Sequence, residues 1–368
     1  MPSRIRMLLT LAAALALAAT LAPTAMANGD TQQVTARDNS LRVMTRNIYL
    51  GGDISKPIGK AEPEFTQATT EVWDTVRETN FPRRARLLAR EIARTRPDLI
   101  GLQEVALWRR GAQGVTDGSQ TPATQTVYDF LRTLRRALAA RGLRYRVGSV
   151  QNEADVEGPT NYGYDIRLTM RDAILVKRRA GLRIRDRSGE NFTARFVVPT
   201  PAGVFQALRG WTAVDMSWRG RRFRFLNTHL EAFLAAPRQA QANELVAPGG
   251  PASVPGRVIL VGDLNSEPQG RDDGDPIPYE TIRGAGFLDA WDLKHGSRLA
   301  NSCCMNQENI KDPPPAPFDH HIDHILVKPR MRVLSNRIVG NDPRNRTRSG
   351  LWPSDHGGHV ARLLLPRG

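Results

Sequence analysis

Short apolar segments rich in β-branched residues recur along the chain and alternate with helical patterns and with loops rich in glycine and proline. Apolar runs of this length, bounded by turn-forming residues, are typical of buried or half-buried strands. The pattern predicts strands at residues 41–44, 98–102, 144–150, 173–176, 211–215, 223–226, 258–261, 322–327 and 360–365. Many strands spread evenly along the chain favour one α/β domain with two packed sheets and helices outside them.

Helical spacing of apolar residues is found in fewer places. It predicts helices at residues 82–96, 126–140 and 237–246. The first carries Leu88 and Ile92 on one face, and Gly142 terminates the second. Long loops are predicted at residues 108–124, 151–164, 268–278 and 301–317. Loops this long in a compact domain usually shape a binding surface, so we expect some of them to border a site.

The first residues have the features of a secretory signal peptide. Arg4 and Arg6 precede an apolar run over residues 7–22, and Ala25 and Ala27 are the small residues that a signal peptidase reads. The apolar run is shorter than the ~20 residues of a membrane-spanning helix. We therefore expect cleavage after Ala27 and a secreted, extracellular protein; an uncleaved N-terminal anchor is the alternative. The predicted organisation is a signal peptide (1–27), an N-terminal extension (28–40) and one large domain (41–368).

The composition narrows the class of protein. A hydrophobic content of 40% disfavours disorder, and the single long apolar run excludes a polytopic membrane protein. The chain has 52 basic and 37 acidic side chains, a formal charge of +15. Because arginine binds phosphate oxygens in bidentate fashion, this surplus favours a polyanionic or phosphate-bearing partner. A coding bias toward arginine would give the same surplus without any function.

Polar residues able to bind a metal or a phosphate follow several predicted strands, where generic turn residues are usual. Two further segments of the same kind lie near the C-terminus. The six segments are Thr45-Arg46-Asn47-Ile48, Leu102-Gln103-Glu104, Asn227-Thr228-His229-Leu230, Gly262-Asp263-Leu264-Asn265, Ile322-Asp323-His324 and Ser354-Asp355-His356. Each alone is weak evidence, but six in order at strand boundaries form a specific pattern.

This ordered set resembles the signature segments of the endonuclease/exonuclease/phosphatase superfamily, which includes DNase I, abasic-site endonucleases, bacterial neutral sphingomyelinases and inositol-polyphosphate phosphatases. The resemblance extends over about residues 41–365. It implies a DNase I-like four-layer α/β sandwich, in which two central mixed β-sheets are flanked by helices. It also implies hydrolysis of a phosphate ester by an activated water, and it leaves the substrate open.

The resemblance assigns roles to individual residues. Asn47, Glu104 and Asp355 would hold or support a divalent cation, Mg²⁺ first and Mn²⁺ or Ca²⁺ otherwise, because carboxylate oxygens suit hard cations. His356 would be the general base and Asp323 its carboxylate partner. Asp263 would orient or deprotonate the water, and Asn265 would donate to a phosphate oxygen. His229 would stabilise the phosphoryl oxygen or the leaving group. Asp172 would pair with His229, and Arg209 would contact phosphate. A surface carboxylate and an ordinary surface arginine are the alternatives for the last two.

Several alternatives remain open. The charge favours nucleic acid as the substrate, whereas secretion and an apolar segment favour a phospholipid headgroup, as for a sphingomyelinase or phospholipase C; inositides come third. The apolar residues are Phe192, Phe196, Val197, Val198, Val204 and Phe205, which form either a membrane-contacting ribbon or an ordinary packed hairpin. A non-catalytic phosphate-binding protein is a further alternative. We expect a monomer.

The two cysteines, Cys303 and Cys304, are adjacent and lack the spacing of a structural zinc site. Neighbouring Cα atoms across a trans peptide lie closer together than in ordinary disulfides. We nevertheless consider a vicinal disulfide between them as a hypothesis for an oxidising compartment.

Overall fold

The computed structural model describes residues 39–114, 123–270 and 276–366. The predicted signal peptide and all but the end of the predicted extension lie outside these ranges. Among the described residues, no helix combines the length and the apolar character required to cross a membrane.

The larger sheet is mixed and has eight strands. Its strands are β1 (Ser40–Asn47), β2 (Leu99–Gln103), β3 (Leu107–Ala112), β4 (Gln125–Asp129), β5 (Tyr145–Pro159), β6 (Tyr164–Lys177), β15 (Arg332–Val339) and β16 (Gly358–Leu364). They follow the order β15-β16-β1-β2-β6-β3-β4, and β5 also pairs with β6. The central strands β1 and β2 are parallel, whereas the other pairings are antiparallel.

The second sheet has six strands in the order β13-β14-β12-β11-β10-β7. They are β7 (Leu182–Asn191), β10 (Gly210–Trp218), β11 (Arg221–His229), β12 (Val258–Asp263), β13 (Leu288–Asp289) and β14 (Asp323–Lys328). Its parallel pair is β11 and β12. A separate hairpin is formed by β8 (Phe196–Thr200) and β9 (Gly203–Ala207).

Helices cover the outer faces of both sheets. They are α1 (Glu64–Glu78), α2 (Phe81–Thr95), α3 (Phe130–Ala139), α4 (Ala235–Val246) and α5 (Ile277–Gly284), whereas Leu293 of the short α6 (Asp292–His295) packs against the core between the sheets. The first three pack on the larger sheet through a core that includes Trp73, Leu88 and Leu134. Helices α4 and α5 pack on the second sheet. These layers are the α/β sandwich that the sequence predicted.

The two sheets meet through a fully buried core between them. Leu99 of β2 faces this core, whereas its neighbour Ile100 faces the helices, as the period-two alternation of a strand requires. Gly101 marks the closest approach: a Cβ at this position would collide with Asn227 of β11 and Val261 of β12. The absent side chain at Gly101 therefore lets the two sheets come together beside the ends of their parallel strands.

Several boundaries differ from the sequence prediction. The predicted loop 151–164 is wrong for most of its length, because β5 runs on to Pro159 and pairs with β6. The start of the predicted loop 108–124 is strand β3, which pairs with β6. Helix α3 begins at Phe130 rather than at residue 126, because the preceding residues form β4 and Asp129 caps the helix through Arg132 N. Helix α2 matches its prediction to within one residue.

Candidate active site

The carboxyl ends of the parallel strands in both sheets lie at one edge of the sandwich. Asn47, the last residue of β1, lies opposite Gln103 of β2, and Asp263, the last residue of β12, lies opposite His229 of β11. Asn47 Nδ2 donates to Glu104 Oε1 at 2.9 Å and to Asp263 Oδ2 at 3.1 Å. One amide thus joins polar residues from the two sheets, and the strand-end residues of the sequence pattern share one site.

Three of the predicted site residues have a left-handed backbone. The φ angles are 58° at Glu104, 45° at Arg209 and 46° at Asn265. This conformation is uncommon for residues other than glycine and costs energy, and it is often found at functional sites. At each of these three residues the left-handed conformation turns the chain sharply near the end or the start of a strand, next to the site.

His356 and Asp323 form a buried pair. His356 Nδ1 lies 3.0 Å from Asp323 Oδ2, which also accepts a hydrogen bond from Ser302 Oγ at 2.7 Å. In the neutral ring, donation from Nδ1–H to the carboxylate leaves Nε2 as the acceptor atom. Nε2 lies 3.7 Å from Asp263 Oδ2. The ring is therefore oriented by one carboxylate and faces another, as a general base requires.

The charges around His356 favour its protonated form. Burial alone would lower the pKa of His356, but the negative charges of Asp323, Asp355 and Asp263 outweigh it and raise that pKa well above its ordinary value. The pKa of Asp323 is lowered despite its burial, because the imidazole is close. The pair thus holds a proton firmly until other positive charge enters the site.

Glu104 supplies the site's partly exposed carboxylate. Its Oε2 accepts a hydrogen bond from Leu50 N at 2.7 Å. Burial and the neighbouring charge of Asp355 raise the pKa of Glu104 to about 7. Two carboxylates that repel each other in a buried site are stabilised by a divalent cation, and their oxygens are ligands that Mg²⁺ prefers. Glu104 and Asp355, supported by Asn47, therefore fit a hard divalent cation.

A second set of candidate ligands lies beside them. Oxygen or nitrogen atoms of Asp263, Asp323 and His356 lie within 4.8 Å of one another, and all three residues are buried. The candidate ligands of both sets lie at the same edge of the sandwich. The site therefore offers a divalent cation more than one binding position.

His229 and Arg209 lie together on the second sheet. Arg209 Nη1 lies 3.0 Å from each ring nitrogen of His229, and Arg209 Nε lies 3.6 Å from Glu231 Oε2. Burial, Arg209 and His356 lower the pKa of His229 well below its ordinary value. His229 is therefore neutral near pH 7, and next to it stands a cation able to attract a phosphate oxygen.

Asp172 has a partner that differs from the predicted one, and Asn265 is held by the main chain and by Asp263. Asp172 Oδ2 accepts a hydrogen bond from Asn227 Nδ2 at 3.2 Å, instead of pairing with His229. The reason is topological: Asp172 lies within β6 and meets β11 two residues before His229. Asn265 Nδ2 donates to Leu230 O, while its backbone N–H donates to Asp263 Oδ1 at 3.0 Å. In this arrangement Asn265 orients Asp263, and its amide is engaged by the main chain.

Sequence reasoning missed several supporting residues. Gln103 Nε2 donates to Asn227 Oδ1 at 2.6 Å, which links the two sheets beneath the site. Gln307 Nε2 donates to Asp355 Oδ2 at 2.9 Å. Arg84 is fully buried and donates to main-chain carbonyls of Ile48, Tyr49 and Pro353. Gln103 and Asn227 lay inside the signature segments, but Gln307 falls in a predicted loop that carries no periodic signal.

Comparison with known proteins identifies the family. A model of the endonuclease/exonuclease/phosphatase family matches residues 75–356, more than half of the chain. The chain therefore belongs to this family, as the signature segments indicated, and it is a phosphoester hydrolase. Enzymes of the family depend on divalent metals, and the structure brings together groups that can hold one. No curated protein matches the chain.

Solved structures with the same fold cover nearly the whole described domain. Truncated TDP2 of Caenorhabditis elegans is 18% identical with a TM-score of 0.51, covering 88% of this chain and 97% of its own. An endonuclease/exonuclease/phosphatase from Bacteroides vulgatus is 18% identical with a TM-score of 0.54, covering 89% and 99%. D. rerio TDP2, solved with a single-strand DNA product, is 15% identical with a TM-score of 0.51, covering 89% and 99%. At these identities the likeness concerns the fold.

Proposed function

We propose that the protein is a divalent-metal-dependent phosphodiesterase that cleaves nucleic acid. The proposal rests on one observation, a hydrogen-bonded and ion-paired cluster at the edge where the two sheets meet. The members of this cluster are Asn47, Glu104, Asp263, Asp323 and His356. This cluster combines an oriented imidazole, a carboxylate that can direct a water, and a second carboxylate suited to a cation.

The residues divide the reaction between them. His356 Nε2 accepts the proton of the attacking water, and Asp323 stabilises the imidazolium that forms. Asp263, whose Oδ2 lies 3.7 Å from His356 Nε2, orients that water, and Asp263 is itself held in place by Asn47 and by the main chain at Asn265. No covalent intermediate with the protein forms, because the water itself attacks phosphorus.

Residues at the edge of the second sheet stabilise the phosphate and the leaving group. Arg209 and neutral His229 supply donors for the charge that develops on phosphate oxygens. Glu104 and Asp355 would hold a cation, for which we propose Mg²⁺, and the cation would supply Lewis-acid polarisation of the phosphate.

Nucleic acid is favoured over other phosphate esters by charge. The chain has 52 basic against 37 acidic side chains. Contacts to a phosphate backbone come mainly from arginine and lysine, so this surplus favours a long polyanion. The structure of D. rerio TDP2 with a single-strand DNA product supports single-stranded DNA as the first substrate to test.

A phospholipid headgroup is the second candidate, and one surface favours it. On the β8–β9 hairpin, Val197 is 49% exposed and Val204 is 60% exposed. Val204 also borders an apolar cavity of about 200 Å³ that includes Trp108. Against this reading, Phe192 and Phe205 are buried, so only part of the predicted ribbon faces solvent and a peripheral membrane contact would rest on the two valines.

A substrate panel separates the two candidates. Purified protein is incubated with single-stranded DNA, plasmid DNA, RNA, sphingomyelin, phosphatidylcholine and a chromogenic phosphodiester, each with Mg²⁺ or EDTA. We expect the fastest Mg²⁺-dependent turnover on DNA, none in EDTA, and none with His356→Ala. Faster turnover of a lipid, lost in a Val197→Ser/Val204→Ser variant, would establish the second candidate. No turnover on any substrate would leave a non-catalytic phosphate-binding protein.

We also propose that the protein is secreted and acts as a monomer. The proposal on secretion rests on the sequence of residues 1–27. Expression in a secreting bacterial host, followed by intact mass measurement of the protein in the medium, tests it. We expect a mass that begins at Asn28; a cell-associated product that retains Met1 would contradict it. Light scattering of the same sample tests the oligomeric state.

A further inference from the structure

The two cysteines lie directly against the candidate general base. Cys303 and Cys304 form a disulfide, and Cys303 Sγ lies 3.4 Å from His356 Nε2. This is the ring atom that the proposed mechanism uses to accept a proton. Cys303 is fully buried, whereas Cys304 is partly exposed, so a small reagent can reach the pair from one side. Nothing in the proposed reaction uses either sulfur.

The main chain holds Cys303 in place independently of the disulfide. Cys303 N donates to His320 O at 3.1 Å, and His320 N donates back to Cys303 O at 2.6 Å. On either side, Ser302 Oγ donates to Asp323, and Met305 N donates to Asp355 O at 3.0 Å. Opening the disulfide would therefore leave the Cys303 sulfur beside His356.

We propose that reduction of the Cys303–Cys304 disulfide creates a site for a soft divalent metal, with zinc as the representative ion. Its ligands are the two thiolates and His356 Nε2. The ion would occupy the atom that the proposed function needs as the base, so its binding would inhibit the enzyme. Only this inhibitory consequence rests on the proposed function; metal binding by the reduced chain does not.

The geometry suits zinc. A tetrahedral ion with Zn–S of about 2.3 Å and Zn–N of about 2.05 Å holds sulfur and nitrogen roughly 3.6 Å apart. The observed separation between Cys303 Sγ and His356 Nε2 is 3.4 Å. Ligand atoms of Cys303, Cys304 and His356 all lie within 4.8 Å of one another. Cys303 Sγ and His356 Nε2 are therefore already near ligand spacing. Once the disulfide is open, Cys304 Sγ has to move from bonding distance to about 3.8 Å from Cys303 Sγ to complete a three-ligand set.

The surroundings of His356 are also those of a metal-binding histidine. Such a histidine usually donates its second ring N–H to a carboxylate, which fixes the tautomer and directs the free lone pair at the metal. His356 Nδ1 has this partner in Asp323 at 3.0 Å. Asp263 Oδ2, 3.7 Å from Nε2, is close enough to serve as a fourth ligand. A tetrahedral ion places oxygen and nitrogen ligands roughly 3.4 Å apart.

This site differs in chemistry from the oxygen site at Glu104 and Asp355. Thiolate and imidazole favour zinc and related soft ions, whereas Mg²⁺ and Ca²⁺ prefer carboxylate, carbonyl and water. Mg²⁺ can therefore occupy the oxygen site without competing for the sulfur atoms. Reduction would change which metals the protein binds, and not only how tightly it binds them.

A water-soluble phosphine serves as the reductant. The S–S bond breaks, phosphorus takes an oxygen from water and becomes a phosphine oxide, and the two protons of that water complete the thiols of Cys303 and Cys304. Zinc then displaces both thiol protons to solvent and accepts the Nε2 lone pair of His356. The phosphine and its oxide are removed by anaerobic desalting before zinc is added.

The test measures zinc bound per chain, by equilibrium dialysis and elemental analysis. Its arms are the oxidised protein, the reduced protein and a Cys303→Ser/Cys304→Ser variant treated with phosphine. We expect the reduced protein to bind one more zinc ion than either of the others. Reduced protein alkylated with iodoacetamide, which keeps the wild-type sequence, provides a second control if the variant does not fold. Equal stoichiometry in all arms would overturn the proposal.

Activity gives an independent measurement. With Mg²⁺ saturating, zinc at about ten times its Kd leaves roughly a tenth of the reduced molecules unbound, so their rate should fall about tenfold. The oxidised protein and the Ser variant, each compared with its own zinc-free rate, should lose much less. If no preparation has any activity, the proposed function is wrong. The zinc stoichiometry then still shows whether the reduced protein has the proposed metal site.

Discussion

Replacing Asp323 with asparagine tests how the candidate general base is held. Asp323 Oδ2 lies 3.0 Å from His356 Nδ1 and 2.7 Å from Ser302 Oγ. Asparagine keeps the shape of the side chain and can still accept one hydrogen bond, but it carries no charge. Asp323→Asn therefore removes the charge that stabilises the imidazolium and preserves most of the packing.

The expected loss in kcat follows from the hydrogen bond between Asp323 and His356, whose acceptor loses its charge. A hydrogen bond to a charged partner is worth about 1.5–3 kcal/mol, and each 1.36 kcal/mol of transition-state stabilisation is a factor of ten in rate. We expect kcat to fall about 10- to 150-fold on this arithmetic. The pKa of His356 should also fall, because Asp323 is the foremost of the charges that raise it. A general base works deprotonated, so the rising limb of the pH–rate profile should move to lower pH.

The assay is initial-rate hydrolysis of a chromogenic phosphodiester in Mg²⁺ across a series of pH values. Asp215→Asn is the matched control, because Asp215 lies on β10 of the same sheet and pairs with Arg224 at 2.8 Å. It should keep the wild-type kcat and pH profile. Circular dichroism establishes that both variants fold. An Asp323→Asn protein with unchanged kcat and an unmoved rising limb would refute the orientation of His356 by Asp323.

Three further substitutions test other parts of the account. Glu104→Gln should weaken Mg²⁺ binding and lower the rate at fixed Mg²⁺ by at least about tenfold, since it removes a carboxylate charge from the cation site; a Mg²⁺ titration of the rate checks this. Gly101→Ala should lower the free energy of unfolding by about 1–3 kcal/mol in urea, because the added methyl overpacks the contact between the sheets. Gly284→Ala is the matched control. It should leave the free energy of unfolding unchanged, because nothing lies within 4 Å of the added Cβ. Asp289→Asn should cost about 2 kcal/mol of stability at pH 7. Burial alone would raise the pKa of Asp289, but the hydrogen bond from His324 and nearby charges lower it to about 2. A lowered carboxyl pKa contributes stability at neutral pH that disappears as the pH falls from about 4 toward 2, so the gap between variant and wild type should narrow there.

The sequence predicted the layers of the fold because each layer leaves a local signal. The run that ends at Met44 becomes part of β1, and Leu88 and Ile92 fall on the buried face of α2. Strand β5 was missed between residues 151 and 159, where the sequence is mostly polar and gives no apolar run. Pairing with β6, a long-range contact, makes that segment a strand.

The candidate site was predictable in its residues and less so in its pairings. Asp323 and His356 meet as expected, because Asp323 begins β14 and His356 lies just before β16, and both strands begin at the same edge of the sandwich. Asp172 meets Asn227 rather than His229, since the register between sheets decides which residue of β11 faces it. Ser302 and Cys303 reach the site from an irregular segment, and no local pattern reports where such a segment packs.

The central claim is that a cation held by carboxylates and an oriented imidazole act together on one phosphodiester bond. The most direct test removes all divalent metal with EDTA, returns Mg²⁺ by titration, and follows the hydrolysis rate of the wild-type protein. We expect no hydrolysis before Mg²⁺ is added and a saturable recovery of the rate as Mg²⁺ is restored. An undiminished rate in the metal-free protein would contradict it.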